Sequence, residues 1–224
     1  MERVETLRIW DIWIRLFHWS LALSVGFLLY TGLTGQLFFD WHKVTGEFVL
    51  MLILFRLVWG VLGSSNARLW QLFRSPLQAA GHIRHVVSRN VAQERGHNAA
   101  GSWAVLAMLL ILGTQAITGL FIADEDEFVE GAFYGSVNSG LSDFMFRVHH
   151  INAELIQIVL VLHVGMVFLY LLYAKVNLVR PMITGNLRWL ADKAAPDVKF
   201  QRWWIGALCL FACAAATGLL VGWF

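Results

Sequence analysis

Five stretches of about twenty mostly apolar residues, near 13–34, 44–63, 102–122, 149–174 and 203–223, constrain this chain more than any other feature. At 1.5 Å of rise per residue each is long enough to cross the hydrocarbon core of a bilayer. Backbone in lipid has no water to bond, so a span must be a helix or part of a closed barrel. The alternating ten-residue strands of a barrel are absent, and Pro76, Pro181 and Pro196 all fall outside the five stretches. The expected fold is all-α, a polytopic transmembrane bundle of five helices. With 58% hydrophobic and 14% charged residues, against a usual ~25% charged, the 224-residue chain cannot close as a water-soluble globule. The longest remaining stretch, 64–101, leaves no room for a separate soluble domain, so residues 1–224 are expected to form a single integral membrane domain. Glu2, Glu5 and Asp11 before an over-long first apolar run argue against a cleavable signal.

Charge orients the bundle. Arg3, Arg8 and Arg15 precede the first span, and Arg68, Arg74, Arg84, Arg89 and Arg95 follow the second. Lys175, Arg180, Arg188, Lys193, Lys199 and Arg202 lie between the fourth and fifth, which places 14 of 17 basic residues on one side. The other side holds Lys43, Arg147 and the acidic residues Asp124, Glu125, Asp126, Glu127 and Glu130. The positive-inside rule therefore predicts a cytoplasmic N-terminus and a periplasmic C-terminus at Phe224. The basic loops read as topology signals and lipid-headgroup contacts rather than a nucleic-acid surface.

Ionisable side chains are costly within spans, which draws attention to His18, His42, His149, His150 and His163. His149 and His163 are fourteen residues apart, so at about 100° per residue they share one helix face, at depths about 21 Å apart. Two imidazoles stacked this way suit two haems in a helical bundle, each needing a second axial imidazole from a facing helix. By depth, His42 pairs with His149 on the outer side and His18 with His163 on the inner side. The first four helices would then form the haem-binding bundle. His150, thirteen residues before His163, points to nearly the opposite face.

Arg56 lies fourteen after His42 and level with the inner pair, where a haem propionate or the cytoplasmic headgroups would receive it. Lys43 and Arg147 flank His42 and His149, as partners for outer propionates or as interface anchors. Gly46, four after His42, and Gly32, fourteen after His18, share faces with those ligands and make room for a flat ring or for helix packing. Glu47 reads as a partner for Lys43 or as one of several intramembrane polar groups, with Glu154, Gln115 and Gln157. Cys209 and Cys213 read as buried packing, and they offer neither a disulfide framework nor a covalent CxxCH haem site. His82 and His85 read as solvated surface.

The segments RIWDIWIRLFHW (Arg8 to Trp19), HKVTGEF (His42 to Phe48), FRLVWGVLGSSNARL (Phe55 to Leu69), GHNAAG (Gly96 to Gly101) and ITGL (Ile117 to Leu120), with the His149/His163 pair, resemble prokaryotic b561-type cytochromes. That group includes the cytochrome b subunits of nickel-iron hydrogenases. The resemblance covers about 8–224 and implies a bacterial inner-membrane, multi-pass cytochrome with two non-covalent b haems. Their bis-histidine ligands would be His18 with His163 and His42 with His149, and quinone the membrane redox partner. A periplasmic c-type cytochrome or hydrogenase would be the external partner, and the chain either an electron-transfer cytochrome or the quinone-reactive subunit of an oxidoreductase complex. His150 stands where such proteins more often carry an acid, and Ala99 replaces a usual proline. His97, in the same loop, reads as a quinone-headgroup contact or a structural loop histidine.

Two other classes compete. A stand-alone superoxide:quinone oxidoreductase would favour a positive cluster outside, whereas the acidic outer loop repels an anion and suits a basic or haem-bearing protein. A haem-free anchor would lack a b-type absorbance spectrum.

Overall fold

The computed structural model describes residues 4–34, 39–87, 94, 96–124, 129–190 and 197–224. Glu2, Arg3, Arg89, Arg95, Glu125, Asp126, Glu127, Lys193 and Pro196 lie outside the described residues, as do the side chains of His82, Arg84, His85 and Asp124.

In chain order the elements are β1 (Val4–Arg8), α1 (Ile12–Thr34), α2 (Phe39–Leu62), α3 (Pro76–Val87), α4 (Ala99–Gly119), β2 (Ala123–Asp124), β3 (Val129–Glu130), α5 (Ser139–Phe168), α6 (Val179–Thr184), β4 (Asn186–Leu190) and α7 (Trp203–Val221). Helices α1, α2, α4, α5 and α7 are long and apolar enough to cross a membrane, and they are the expected five. The fourth starts ten residues before the span expected at 149. Its first turns are too polar to read as membrane, but Asn138 starts a helix there by accepting the Leu141 N–H on its side-chain oxygen at 2.9 Å. At its other end α5 passes into a π-helical turn, Leu169–Tyr173.

Local chemistry sets the other ends too. The Asp11 carboxylate caps α1, accepting the Ile14 N–H at 2.8 Å and the Trp59 indole N–H at 3.2 Å. Asn98 of the GHNAAG loop caps α4 by accepting the Gly101 N–H at 2.7 Å. Helix α7 stops at Gly222, whose φ of 80° only glycine adopts cheaply, and the Trp223 N–H turns back to the Gly218 carbonyl at 2.8 Å. Over half of the apolar window of α2 is buried, 56%, against at most 22% for the other four spans. α2 is therefore the enclosed helix, and the others expose leucine, valine and phenylalanine as a lipid-facing surface would require.

The chain divides into two compact units, and each long helix contributes to both. The first comprises Met1–His18, Leu57–Ala107 and Leu160–Ala207. In it β1 pairs antiparallel with β4, Val4 opposite Leu190 and Arg8 opposite Asn186. The Asn66 amide donates to the Ile9 carbonyl at 2.9 Å, and the hydroxyls of Ser65 and Ser64 accept the N–H groups of Lys199 and Gln201 at 3.1 Å each. The second unit comprises Trp19–Arg56, Met108–Val159 and Leu208–Phe224. There β2 pairs with β3, and Gly131 sits so close to the end of α4 that a Cβ on it would lie 2.4 Å from the Gly119 carbonyl oxygen.

Candidate functional site

In the second unit His42 comes from α2 and His149 from α5. Each imidazole meets a threonine. Thr31 Oγ1 of α1 lies 2.8 Å from His42 Nδ1, and also reaches the carbonyls of Phe27 and Leu28 in its own helix at 3.0 and 3.2 Å. Thr118 Oγ1 of α4 lies 3.1 Å from His149 Nδ1 and reaches the carbonyls of Thr114 and Gln115 at 2.8 and 3.1 Å. A glycine follows each threonine against the same ring. A Cβ on Gly32 would sit 3.4 Å from His42 Cε1, and one on Gly119 would sit 3.2 Å from His149 Cε1. Nearby, Asn152 donates to the Gln115 side-chain oxygen at 2.8 Å and the Ile111 carbonyl at 2.9 Å, so this intramembrane amide is satisfied across α4 and α5.

In the first unit the rings of His18 on α1 and His163 on α5 have centroids 6.4 Å apart, inclined at 51°. An ion held between two imidazoles by metal–nitrogen bonds of ~2 Å separates their centroids by about 6 Å, so the spacing fits one iron between them. Two imidazoles suit an iron whose four other ligands belong to a porphyrin. Among the described residues no group of three or more His, Cys, Asp or Glu side chains is placed to hold a bare metal ion.

The remaining sequence candidates are distributed as follows. Arg56 is buried, with 3% of its surface exposed. Lys43 is half-buried beside His42, and Arg147 is exposed two residues before His149. His150 is exposed, its Nδ1 2.9 Å from the Phe146 carbonyl and its ring 4.1 Å from the Phe146 ring. Glu47 is buried and accepts the Trp223 indole N–H at 2.7 Å. Glu154 is exposed, while Cys209 and Cys213 are buried free thiols. His97 lies against Trp10, ring centroids 4.8 Å apart, and borders a small polar cavity of about 30 Å³ lined also by Asn66, Gln71, Arg74, Glu94 and Ser102. That volume takes a water molecule but not a quinone ring. Burial raises the Glu94 carboxyl above its ordinary value there, and Arg74 pulls it partly back.

Thr31 and Thr118 are not singled out by sequence alone, and Gly32, expected on the face of α1 that carries His18, also meets the ring of His42. Same-face arithmetic on α1 linked Gly32 to His18, but it is silent on which ring from another helix occupies that face; the ring is His42. The available signal was the repeated Thr-Gly-Leu triplet at 31–33 and 118–120. It is not sufficient alone, because in a third copy at 217–219 the Thr217 hydroxyl has no hydrogen-bond partner among the described residues and Gly218 packs against the Phe224 ring.

Residues 9–185 match the family described as prokaryotic cytochrome b561. No curated protein and no solved structure matches the chain.

Proposed function

Because the chain belongs to the prokaryotic cytochrome b561 family, whose members transfer electrons across a membrane with haem b, we propose that it carries them through two b haems between a periplasmic redox protein and the quinone pool. His42 with His149 ligate the outer haem, and His18 with His163 the inner one. The observation that carries this reading is the occurrence of one histidine pair in each unit, with the 6.4 Å ring spacing of His18 and His163 fitting a bis-imidazole iron. Haem supplies the reversible one-electron chemistry, and the chain supplies ligands, dielectric and access. Lys43 and Arg147 serve propionates of the outer haem, and Arg56 those of the inner one. The N-terminus is cytoplasmic and the C-terminus periplasmic, in a bacterial inner membrane.

The external partner is a c-type cytochrome or a hydrogenase-like protein. Its surface is basic where it meets the chain, since the loops on that side are acidic. His97 is a candidate quinone-headgroup contact, with the quinone ring outside the water-sized cavity beside it. The test is spectroscopic and kinetic. Purified protein should carry two b haems per chain, and a quinol should reduce them or they should reduce added quinone. Absence of a b-type spectrum overturns haem binding, and intact haems that exchange electrons with quinone in neither direction overturn the quinone role.

A further inference from the structure

A threonine hydroxyl has a single proton, and in both Thr31 and Thr118 a carbonyl of the preceding helical turn stands at donating distance, 3.0 Å from Thr31 Oγ1 and 2.8 Å from Thr118 Oγ1, the back-bond that helical threonines commonly make. Once that proton is given to the helix, the oxygen facing the imidazole has only lone pairs to offer. His42 Nδ1 and His149 Nδ1 must then be the protonated ring nitrogens, donating to Thr31 Oγ1 and Thr118 Oγ1. This leaves Nε2 of each ring as the unprotonated nitrogen.

We propose that Thr31 and Thr118 are the positioning residues of the haem held by His42 and His149: each fixes its histidine in the Nδ1–H tautomer, and together they lower that haem's reduction potential. The proposal rests on the ligand pairing given above. A ligand imidazole that donates its second N–H becomes a more basic ligand, which favours the more positive, oxidised iron. Two observations beyond the hydrogen bonds support it. The arrangement occurs twice, on α1 against α2 and on α4 against α5, and in both cases the next residue is a glycine facing the same ring, with a Cβ there standing 3.4 Å from His42 Cε1 and 3.2 Å from His149 Cε1. In the third Thr-Gly-Leu triplet, 217–219, the Thr217 hydroxyl has no hydrogen-bond partner among the described residues, so the triplet alone does not produce the contact.

The experiment is a redox titration of the full-length haem-loaded protein, with haem content per chain, for Thr31→Val, Thr118→Val and the corresponding serine variants. Valine keeps the shape and removes the hydroxyl, whereas serine keeps the hydroxyl. Wild-type protein should titrate in two waves. Each valine variant should move the same one of them upward, changing the oxidised-to-reduced ratio of that haem about threefold to tenfold at a fixed potential, the worth of one net hydrogen bond. Serine should restore the wild-type wave. Loss of one haem in valine variants with retention in serine variants supports the same conclusion. Unchanged waves in the valine variants, movement of different waves by Thr31→Val and Thr118→Val, or equal haem loss with valine and serine would each overturn it. Wild-type protein without b haem defeats the ligand pairing itself, and the proposal with it.

Discussion

The two units differ in the two properties that matter most to a haem, charge and ligand support. The first holds fourteen basic and six acidic residues, the second three basic and nine acidic. The formal charge of +2 for the chain thus conceals a surplus of eight positive charges in one region and six negative in the other. Reduction makes a haem less positive, so basic surroundings raise its potential and acidic surroundings lower it, attenuated by salt for charges in exposed loops. In the acidic unit the threonine acceptors on His42 and His149 act in the same direction. On the proposed ligand pairing, the contrast predicts a lower-potential haem at His42 and His149 and a higher-potential one at His18 and His163.

The largest effect that tests this contrast is all-or-none. A periplasmic reporter joined after Phe224 should be active and one joined near Arg84 silent, because 14 of 17 basic residues follow the cytoplasmic pattern. The reverse activities would invert the topology and with it the outer and inner assignment of the two pairs. Next in size, His149→Ala should lose about half of the haem absorbance, and the wave that disappears should be the lower of the two. Disappearance of the higher wave would mean that charge and hydroxyl acceptors do not set the order of the potentials.

The spans were legible because lipid leaves a backbone so few options. Length, apolar content and the placement of three prolines were enough to identify five helices, and the polar start of α5 was missed only because Ser139 to Arg147 form helix without looking like membrane. The histidines stand out because an imidazole in a span is expensive and because fourteen residues is close to four helical turns. Their supports were not. Thr31 is a routine helix residue until α2 brings His42 to within 2.8 Å, and no arithmetic along α1 contains that fact. Trp223 at the end of α7 and Glu47 on α2 meet in the same way, through a glycine turn at 222 that places a distant indole over a buried carboxylate.

A finer test uses the two glycines beneath the rings. The Cβ of Gly119→Ala would stand 3.2 Å from His149 Cε1, closer than the 3.4 Å that Gly32→Ala would leave to His42 Cε1. The contact at Gly119 forces the ring to give by tenths of an ångström, and overpacking of this kind costs about 1–3 kcal/mol, whereas the one at Gly32 borders on ordinary van der Waals contact. Gly119→Ala should therefore weaken haem retention under a chelating or low-haem challenge more than Gly32→Ala, with the other haem unaffected in each. Equal and negligible losses would show that the rings have slack and that the glycines serve helix packing alone.

The smallest expected effect belongs to His150, and its smallness is the point. His149 and His150 are adjacent, so only one can direct its ring toward His42, and a bulge in α5 near them would be needed to exchange their roles. Helix α5 is regular from Ser139 to Phe168, and its π-helical turn begins only at Leu169. His149 turns to Thr118 and Gly119, whereas His150 turns to the Phe146 carbonyl and ring and stays exposed. His150→Ala should accordingly keep both haems and shift at most the lower wave slightly, through loss of a polar ring next to the ligand. Haem content and redox titration decide it: one haem missing in His150→Ala with two retained in His149→Ala would transfer the ligand to the neighbouring residue and remove Thr118 from the site.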